Sequence, residues 1–248
     1  MRQFLSDPIA IRPVGIVVAL TMEAKVLTAC AIKPGGITPL VGADVCLSGM
    51  GLVAARKAAQ MLADAGAKAL ATFGVAGALE SGLRNGTLFC PQRVCDEQGH
   101  DYTPDPVWRT HILLRLAQTA LPVQAHGSLL SVAMPLLTQA AKTNARSFHM
   151  AAAADMESAA VAEIAKARGL PFIALRAIVD EASDTVPFAL HESIDPWGRP
   201  RLFGLVATMC RHPTLLARLP RLYSRMRHAT QALHVAADAA GPGLGWPP

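Results

Sequence analysis

Asp155-Met156-Glu157-Ser158-Ala159-Ala160, followed about twenty residues later by Leu175-Arg176-Ala177-Ile178-Val179-Asp180, decides how this chain is read. The first stretch closes the short apolar run from Ala151 and opens a helix, Glu157 to Arg168, that Gly169 ends. The second closes another apolar run, Pro171 to Val179, on a carboxylate. In an open α/β sheet the C-terminal strand ends line the ligand crevice. Two carboxylates delivered there by successive strands can do different work. One can accept hydrogen bonds from hydroxyls, and the other can handle a proton.

The same alternation extends outward. Gly15 to Leu20 reads as a buried first strand and Met22 to Cys30 as a helix. Val45 to Ser48 reads as a strand entering the glycine turn Gly49-Met50-Gly51, with an alanine-rich helix from Leu52 to Ala65. Ala69 to Phe73 is a further buried strand, ending in the turn Gly74-Val75-Ala76-Gly77-Ala78. Thr87 to Val94 and Gly127 to Val132 read as strands, Val107 to Leu121 and Pro135 to Ala145 as helices, and Asp96 to Val107 as a polar loop. The pattern predicts one α/β domain over residues 1–240, with a central mixed, mostly parallel sheet flanked by helices. The Gly/Pro-rich stretch 241–248 is expected to fray into a disordered tail.

Composition narrows the class. With 52% hydrophobic and 17% charged residues, the 248-residue chain can bury a large core, which excludes a disordered protein. The five cysteines are odd in number and scattered, as expected of reduced, buried thiols in a cytoplasmic protein. No His/Cys cluster accompanies them, so no metal and no organic cofactor are expected. Neither a signal peptide nor a run of ~20 uncharged apolar residues appears. The net charge of +5 gathers in Arg199, Arg201, Arg211, Arg218, Arg221, Arg225 and Arg227, with no acid between Asp195 and Asp238. A solvated helical face accounts for this. With the interleaved Leu215, Leu216, Leu219, Leu222 and Met226, so does peripheral contact with anionic lipid headgroups. Without an aromatic stacking platform, nucleic acid is not an expected partner.

Each candidate residue has a plain reading beside the chemical one. Glu157 at a helix start suits the helix dipole; next to Met156 and after a run of alanines it also suits the vicinal hydroxyls of a ribose. Asp180 can pair with Arg176 or cap a turn. At the end of a buried strand, desolvation would instead raise its pKa and make it a proton donor. Glu23 can serve the dipole, or act as a general base that orients water. Gly49-Met50-Gly51-Leu52-Val53-Ala54 matches the dinucleotide pattern G-x-G-x-x-A, but the acid expected after the next strand is missing, which sets an oxidoreductase aside. Gly74 and Gly77 occupy that strand end and would let a flat ring or sugar lie against bare backbone.

Five stretches together resemble the nucleoside phosphorylase and nucleosidase superfamily: Gly15 to Glu23, Ser48 to Gly51, Gly74 to Ala78, Asp155 to Ser158 and Arg176 to Asp180. The resemblance implies an enzyme that breaks the N-glycosidic bond of a purine nucleoside and assembles as a dimer or hexamer. It implies that Met156 and Glu157 hold the ribose and that Asp180 meets N7 of the base. Val75, Ala76 and Gly77 would line the site, Ala133 or Met134 would flank the base, and Arg176 would orient the acids. Phosphorylases of this kind hold phosphate with arginines and a hydroxyl, whereas nucleosidases activate water with a glutamate. This chain has Glu23 and Thr72 where arginines would stand and Val75 in place of the hydroxyl. A carboxylate repels phosphate, so the residue chemistry favours hydrolysis, with phosphate left open as a co-substrate.

A narrower resemblance, to the hopanoid-associated phosphorylases, rests on the run Asp155 to Val161, the insertion Glu192 to Pro200 and the Arg/Leu-rich tail. It implies release of adenine from adenosylhopane, a lipid-linked nucleoside. Phe188, Leu190, Trp197, Leu202 and Phe203 would then form an apolar path for the 5′ substituent, ordinary core packing being the plain alternative. Two other readings stand beside it: a non-catalytic nucleoside or lipid sensor, and a nucleosidase of the 5′-methylthioadenosine/S-adenosylhomocysteine type.

Overall fold

The computed structural model describes residues 14–188, 195–199 and 218–247. In chain order the strands are β1 (Val14–Val18), β2 (Ile37–Leu40), β3 (Ala43–Leu47), β4 (Ala69–Ala78), β5 (Leu88–Phe89), β6 (Arg93–Asp96), β7 (Asp101–Tyr102), β8 (Val123–Gln124), β9 (Ser128–Ser131), β10 (Ala153–Asp155) and β11 (Phe172–Asp180). The helices are α1 (Thr21–Leu27), α2 (Leu52–Asp64), α3 (Pro106–Leu116), α4 (Gln139–His149), α5 (Ser158–Arg168) and α6 (Leu219–Ala240). All the strands join one sheet with both parallel and antiparallel pairings, and helices cover its two faces, as the alternating pattern predicts.

The strands are apolar on both sides because both faces are covered. Ala69, Ala71 and Phe73 of β4 pack with α3 and α6, while Leu70, Ala76 and Ala78 face the layer of α2 and α5. Alanines at 55, 58 and 59 on α2, and at 159, 162 and 165 on α5, are all buried and bring these two helices close to the sheet.

The central strand β4 explains where the crevice lies. One of its edges pairs with β11 from Leu70↔Phe172 to Gly77↔Asp180. Its other edge pairs in parallel with β1 only as far as Thr72, then antiparallel with β10 at Gly77 and Ala78. Between those partners the edge is open, and the ends of β1, β10 and β11 converge on the gap. Thus Gly74 to Ala78 is strand rather than the turn that its glycines suggest. The glycine at 74 answers to packing: a Cβ there would lie 2.5 Å from Glu23 Cδ and 2.7 Å from an Arg176 guanidinium nitrogen. Gly74→Ala is therefore expected to lose about 1–3 kcal/mol of stability, read as a lowered denaturation midpoint with an unchanged m-value.

Other differences have local causes. The Thr87–Val94 strand is broken into β5 and β6, which pair with different wings of the sheet. β2 and β7 are short antiparallel additions at the two ends of the strand order. α4 begins at Gln139 instead of Pro135, because the Thr138 side chain accepts from Ala141 N and fixes the helix start there. The C-terminal stretch is packed, not frayed: Pro242–Gly245 forms a 3-10 turn and Leu244 is buried. The buried Trp108 indole needs an acceptor and finds Leu244 O at 2.7 Å, while its ring meets that of Trp246 edge to face. Cys46, Cys90 and Cys95 are buried free thiols that burial pushes up to about 11, 12 and 11; Cys30 is exposed, and Cys210 lies outside the described residues.

The basic C-terminal segment is partly used inside the fold. Arg221 and Arg225 on α6 both pair with Asp184, which the linear spacing of acids conceals. Met226 lines the crevice, and Leu222 lines a neighbouring cavity with these arginines. Leu215, Leu216, Arg201 and Arg211 lie outside the described residues. Among the described residues no helix is long and apolar enough to cross a membrane.

Candidate active site

A cavity of about 310 Å³ occupies the gap beside β4, within the size range of small-molecule sites. Four carboxylates line it: Glu23, Asp155, Glu157 and Asp180. The rest of the wall is largely apolar, with Leu20, Met22, Met50, Val179, Val186 and Met226 among its residues.

Glu23 stands one turn into α1, just past the end of β1. One carboxylate oxygen accepts from Ala19 N and Leu20 N at 2.9 Å, which caps the helix. The other accepts from Val75 N at 2.8 Å, on the open edge of β4. Glu23 thus caps its helix and also lines the cavity. Burial raises the pKa of Glu23 above the ordinary carboxylate value, against the opposing field of Arg176 and these three N–H groups.

Glu157 does not cap its own helix. Asp155 does that, accepting from Ser158 N at 3.3 Å, while the Glu157 carboxylate reaches across to Gly51 N at 2.9 Å. The glycine turn after β3 thus spends its N–H on a side chain rather than on a pyrophosphate. Burial first, then the neighbouring Asp155 charge, push Glu157 up to about 7, against Arg176 and the Gly51 N–H.

Arg176 does not pair with Asp180. It is 1% exposed, lies behind the crevice wall, and pairs with Asp155 at 2.6 Å. It also donates to Ser158 Oγ at 2.9 Å and stands 3.9 Å from Glu157. Ser131 Oγ donates to Asp155 at 2.6 Å and accepts from Ala159 N at 2.8 Å, and Thr72 Oγ1 meets Ser158 Oγ at 2.9 Å. Arg176 therefore contacts the acids from behind the cavity and is not in the wall itself.

Asp180, at the end of β11, pairs instead with Lys142 of α4. Its pKa is raised by burial, against the charges of Lys142 and Arg225. A Cβ at Gly77 would lie 3.0 Å from Asp180 Oδ1, so the glycine makes room for this carboxylate. The sequence singled out neither Lys142 nor the support formed by Thr72, Ser131 and Ser158. The only available signal was a lone lysine, between Ala141 and Thr143, on a helix.

Val75, Ala76, Gly77, Met156 and Glu157 line the cavity as expected, but Ala133 and Met134 do not. Ala133 N donates to Glu97 at 2.8 Å, Met134 is 66% exposed, and the chain turns back into the wall through Pro135, Leu136 and Leu137. Residues 195–199 close one side of the cavity mouth. Met50 N donates to Pro196 O at 2.8 Å, Thr21 N donates to Trp197 O at 3.0 Å, and Gly198 lines the cavity. Of the proposed apolar path, Trp197 packs here against Gly49, Phe188 is 56% exposed, and Leu190, Leu202 and Phe203 lie outside the described residues. Among the described residues no cluster of side chains has the makings of a metal site.

A mostly parallel sheet whose strand ends gather carboxylates around one crevice defines an α/β protein with a ligand-sized cavity at the strand ends. Residues 15–211 match the family model of the phosphorylase superfamily, and the chain belongs to that superfamily. Solved structures share the fold at low identity. The 5′-methylthioadenosine/S-adenosylhomocysteine nucleosidase of Helicobacter pylori aligns with a TM-score of 0.65 at 16% identity, over 91% of this chain and 94% of that one. The futalosine hydrolase of H. pylori strain 26695 gives 0.63 at 17%, over 91% and 97%. The nucleosidase of Neisseria meningitidis, solved with methylthio-immucillin-A, gives 0.67 at 17%, over 92% and 98%. Among curated proteins, none matches the sequence significantly.

Proposed function

We propose that this protein hydrolyses the N-glycosidic bond of a purine nucleoside carrying an apolar 5′ substituent. The observation that carries the reading is Glu23, a buried carboxylate on the open edge of β4, where a phosphorylase would need cationic charge. Among the described residues Lys142 is the one cationic side chain in the cavity wall, and it is committed to Asp180. Glu157 would accept hydrogen bonds from the ribose hydroxyls. Asp180 would donate to N7 as the bond to C1′ lengthens and the sugar gains oxocarbenium character. Glu23 would orient a water and take its proton as it attacks C1′. The apolar wall formed by Met22, Met50, Val186 and Met226 suits a 5′ alkyl or alkylthio group, adenosylhopane being the lipid-linked case that the sequence resemblance implies.

The test is base release from 5′-methylthioadenosine and from an adenosine with a long 5′ alkyl chain, with and without phosphate, followed by product mass. Free sugar formed without phosphate is the expected product. A sugar 1-phosphate formed only with phosphate would establish phosphorolysis instead. Tight binding with no base release would leave a sensor. Light scattering on the same sample reads the proposed dimer or hexamer, and flotation with anionic vesicles reads the proposed peripheral membrane contact.

The pH dependence of binding follows from Glu157. With its carboxyl pushed up to about 7, acidification through that value leaves it neutral and with less acceptor capacity. KM is therefore expected to rise as pH falls through about 7. A KM independent of pH across that range would remove Glu157 from ribose binding.

A further inference from the structure

Lys142 is the only buried residue of α4, at 1% exposed, on a helix that otherwise carries exposed and half-buried positions. An ammonium in such a place is strongly destabilising unless it is paired and hydrogen-bonded. Lys142 meets that condition at one place, the end of β11. Its Nζ donates to Asp180 Oδ2 and, at 2.7 Å, to the main-chain oxygen of Glu181. The other Asp180 oxygen, Oδ1, lies toward Gly77 in the cavity wall. The ammonium and the carboxylate therefore meet as a pair in the cavity wall itself.

The surrounding charges are committed elsewhere. Arg225 of α6 faces Asp180 but pairs with Asp184, which also holds Arg221 at 3.2 Å. The Glu181 carboxylate turns to Arg84 at 3.0 Å. One turn further along α4, Arg146 lies 3.4 Å from Glu80. Glu23 and Glu157 lie in the same cavity wall, each held by backbone N–H groups.

The geometry points to Lys142 as the proton reservoir for Asp180, reloading the carboxyl as it gives its proton to the departing base. The inference rests on the glycosidic cleavage proposed above. As the bond from C1′ breaks, its electron pair stays with the base, and N7 takes the proton from Asp180. Asp180 then takes one from the Lys142 ammonium, leaving a neutral amine that solvent reprotonates. The proton that Glu23 takes from water returns to solvent separately, so the sum is nucleoside plus water giving base plus sugar. Lys142 lines the cavity beside Asp180 and acts here through that carboxylate.

Without Lys142, Asp180 has to be reloaded from solvent, whose supply of protons falls as pH rises. Lys142→Met and Lys142→Arg, each in the full chain, separate this from simple charge balance. For Lys142→Met, kcat is expected to fall about 100-fold at about pH 8, with the deficit shrinking to about 10-fold near pH 5 and KM within about threefold. Arginine keeps the charge but does not release a proton at these pH values, so Lys142→Arg is expected to lose kcat in the same way. Thermal melting checks that both variants are folded, and Lys142→Gln replaces the methionine variant should that one unfold.

Wild-type kcat in Lys142→Arg, or a Lys142→Met deficit that stays constant with pH, would overturn the reservoir role while leaving the cleavage itself in place. Wild-type protein that releases no base from any nucleoside would overturn the proposed function, and this inference with it.

Discussion

Glu23→Gln is expected to lower kcat for base release in phosphate-free buffer by about 1,000-fold, with KM within about threefold. The substitution keeps the size of the side chain and removes its basicity. In the protein as it stands, the carboxylate accepts from Ala19 N, Leu20 N and Val75 N. The glutamine oxygen can keep the two contacts that cap α1, and its amide nitrogen then faces the Val75 N–H. One unsatisfied donor costs about 1–3 kcal/mol, partly offset because a desolvated charge is no longer buried. The activity loss should therefore far exceed any loss of stability. The wild-type pH profile carries the same signature: kcat falls on the acid side as Glu23 takes up a proton, at a pH above the ordinary carboxylate value because burial raises its pKa. A glutamine variant with kcat within threefold of wild type would remove Glu23 from the chemistry.

Why Glu23, Glu157 and Asp180 could be found in the sequence while Lys142 could not is a matter of distance along the chain. Each of the three acids sits at the end of an apolar run, and β1, β10 and β11 do end beside the crevice. Strand ends and helix starts are local signals, and so is Gly169, which closes α5 in the left-handed conformation. The missed features depend on partners remote in sequence. Gly74 was read as a turn because glycine breaks strands, yet its lack of a side chain makes room for Glu23 and Arg176, and β4 runs straight through it. The tail looked frayed because nothing local shows that Trp108 lacks an acceptor until Leu244 supplies one. Lys142 has the local features of a solvated helical lysine; only the approach of β11 buries it. Met134 and Ala133 were misplaced for a similar reason, since Glu97 holds their loop outward.

Arg176→Met should be the most destabilising single change at the site, by about 3–5 kcal/mol, read as a fall in denaturant midpoint. Arg176 and Asp155 have side chains 1% exposed, so removing the guanidinium leaves a carboxylate with no cation in a dry setting. Ser131 Oγ and the Ser158 N–H still donate to Asp155, but neutral donors do not balance its charge against Glu157 and Glu23. Burial already holds the pKa values of Glu23 and Glu157 above the ordinary carboxylate range, and loss of the opposing Arg176 charge raises them further. The folded state binds more protons than the unfolded one between those values, so stability of the variant should rise as pH falls and decline as pH increases. Replacing Asp155 as well separates charge from packing: Arg176→Met with Asp155→Asn removes both members of the pair and should recover a large part of the loss. Activity should not return with it, because Glu157 has lost the cation 3.9 Å away. A double variant as unstable as Arg176→Met alone would show that Arg176 supports the fold through the bulk of its side chain. A double variant restored in both stability and kcat would show that the pair has no part in orienting Glu157.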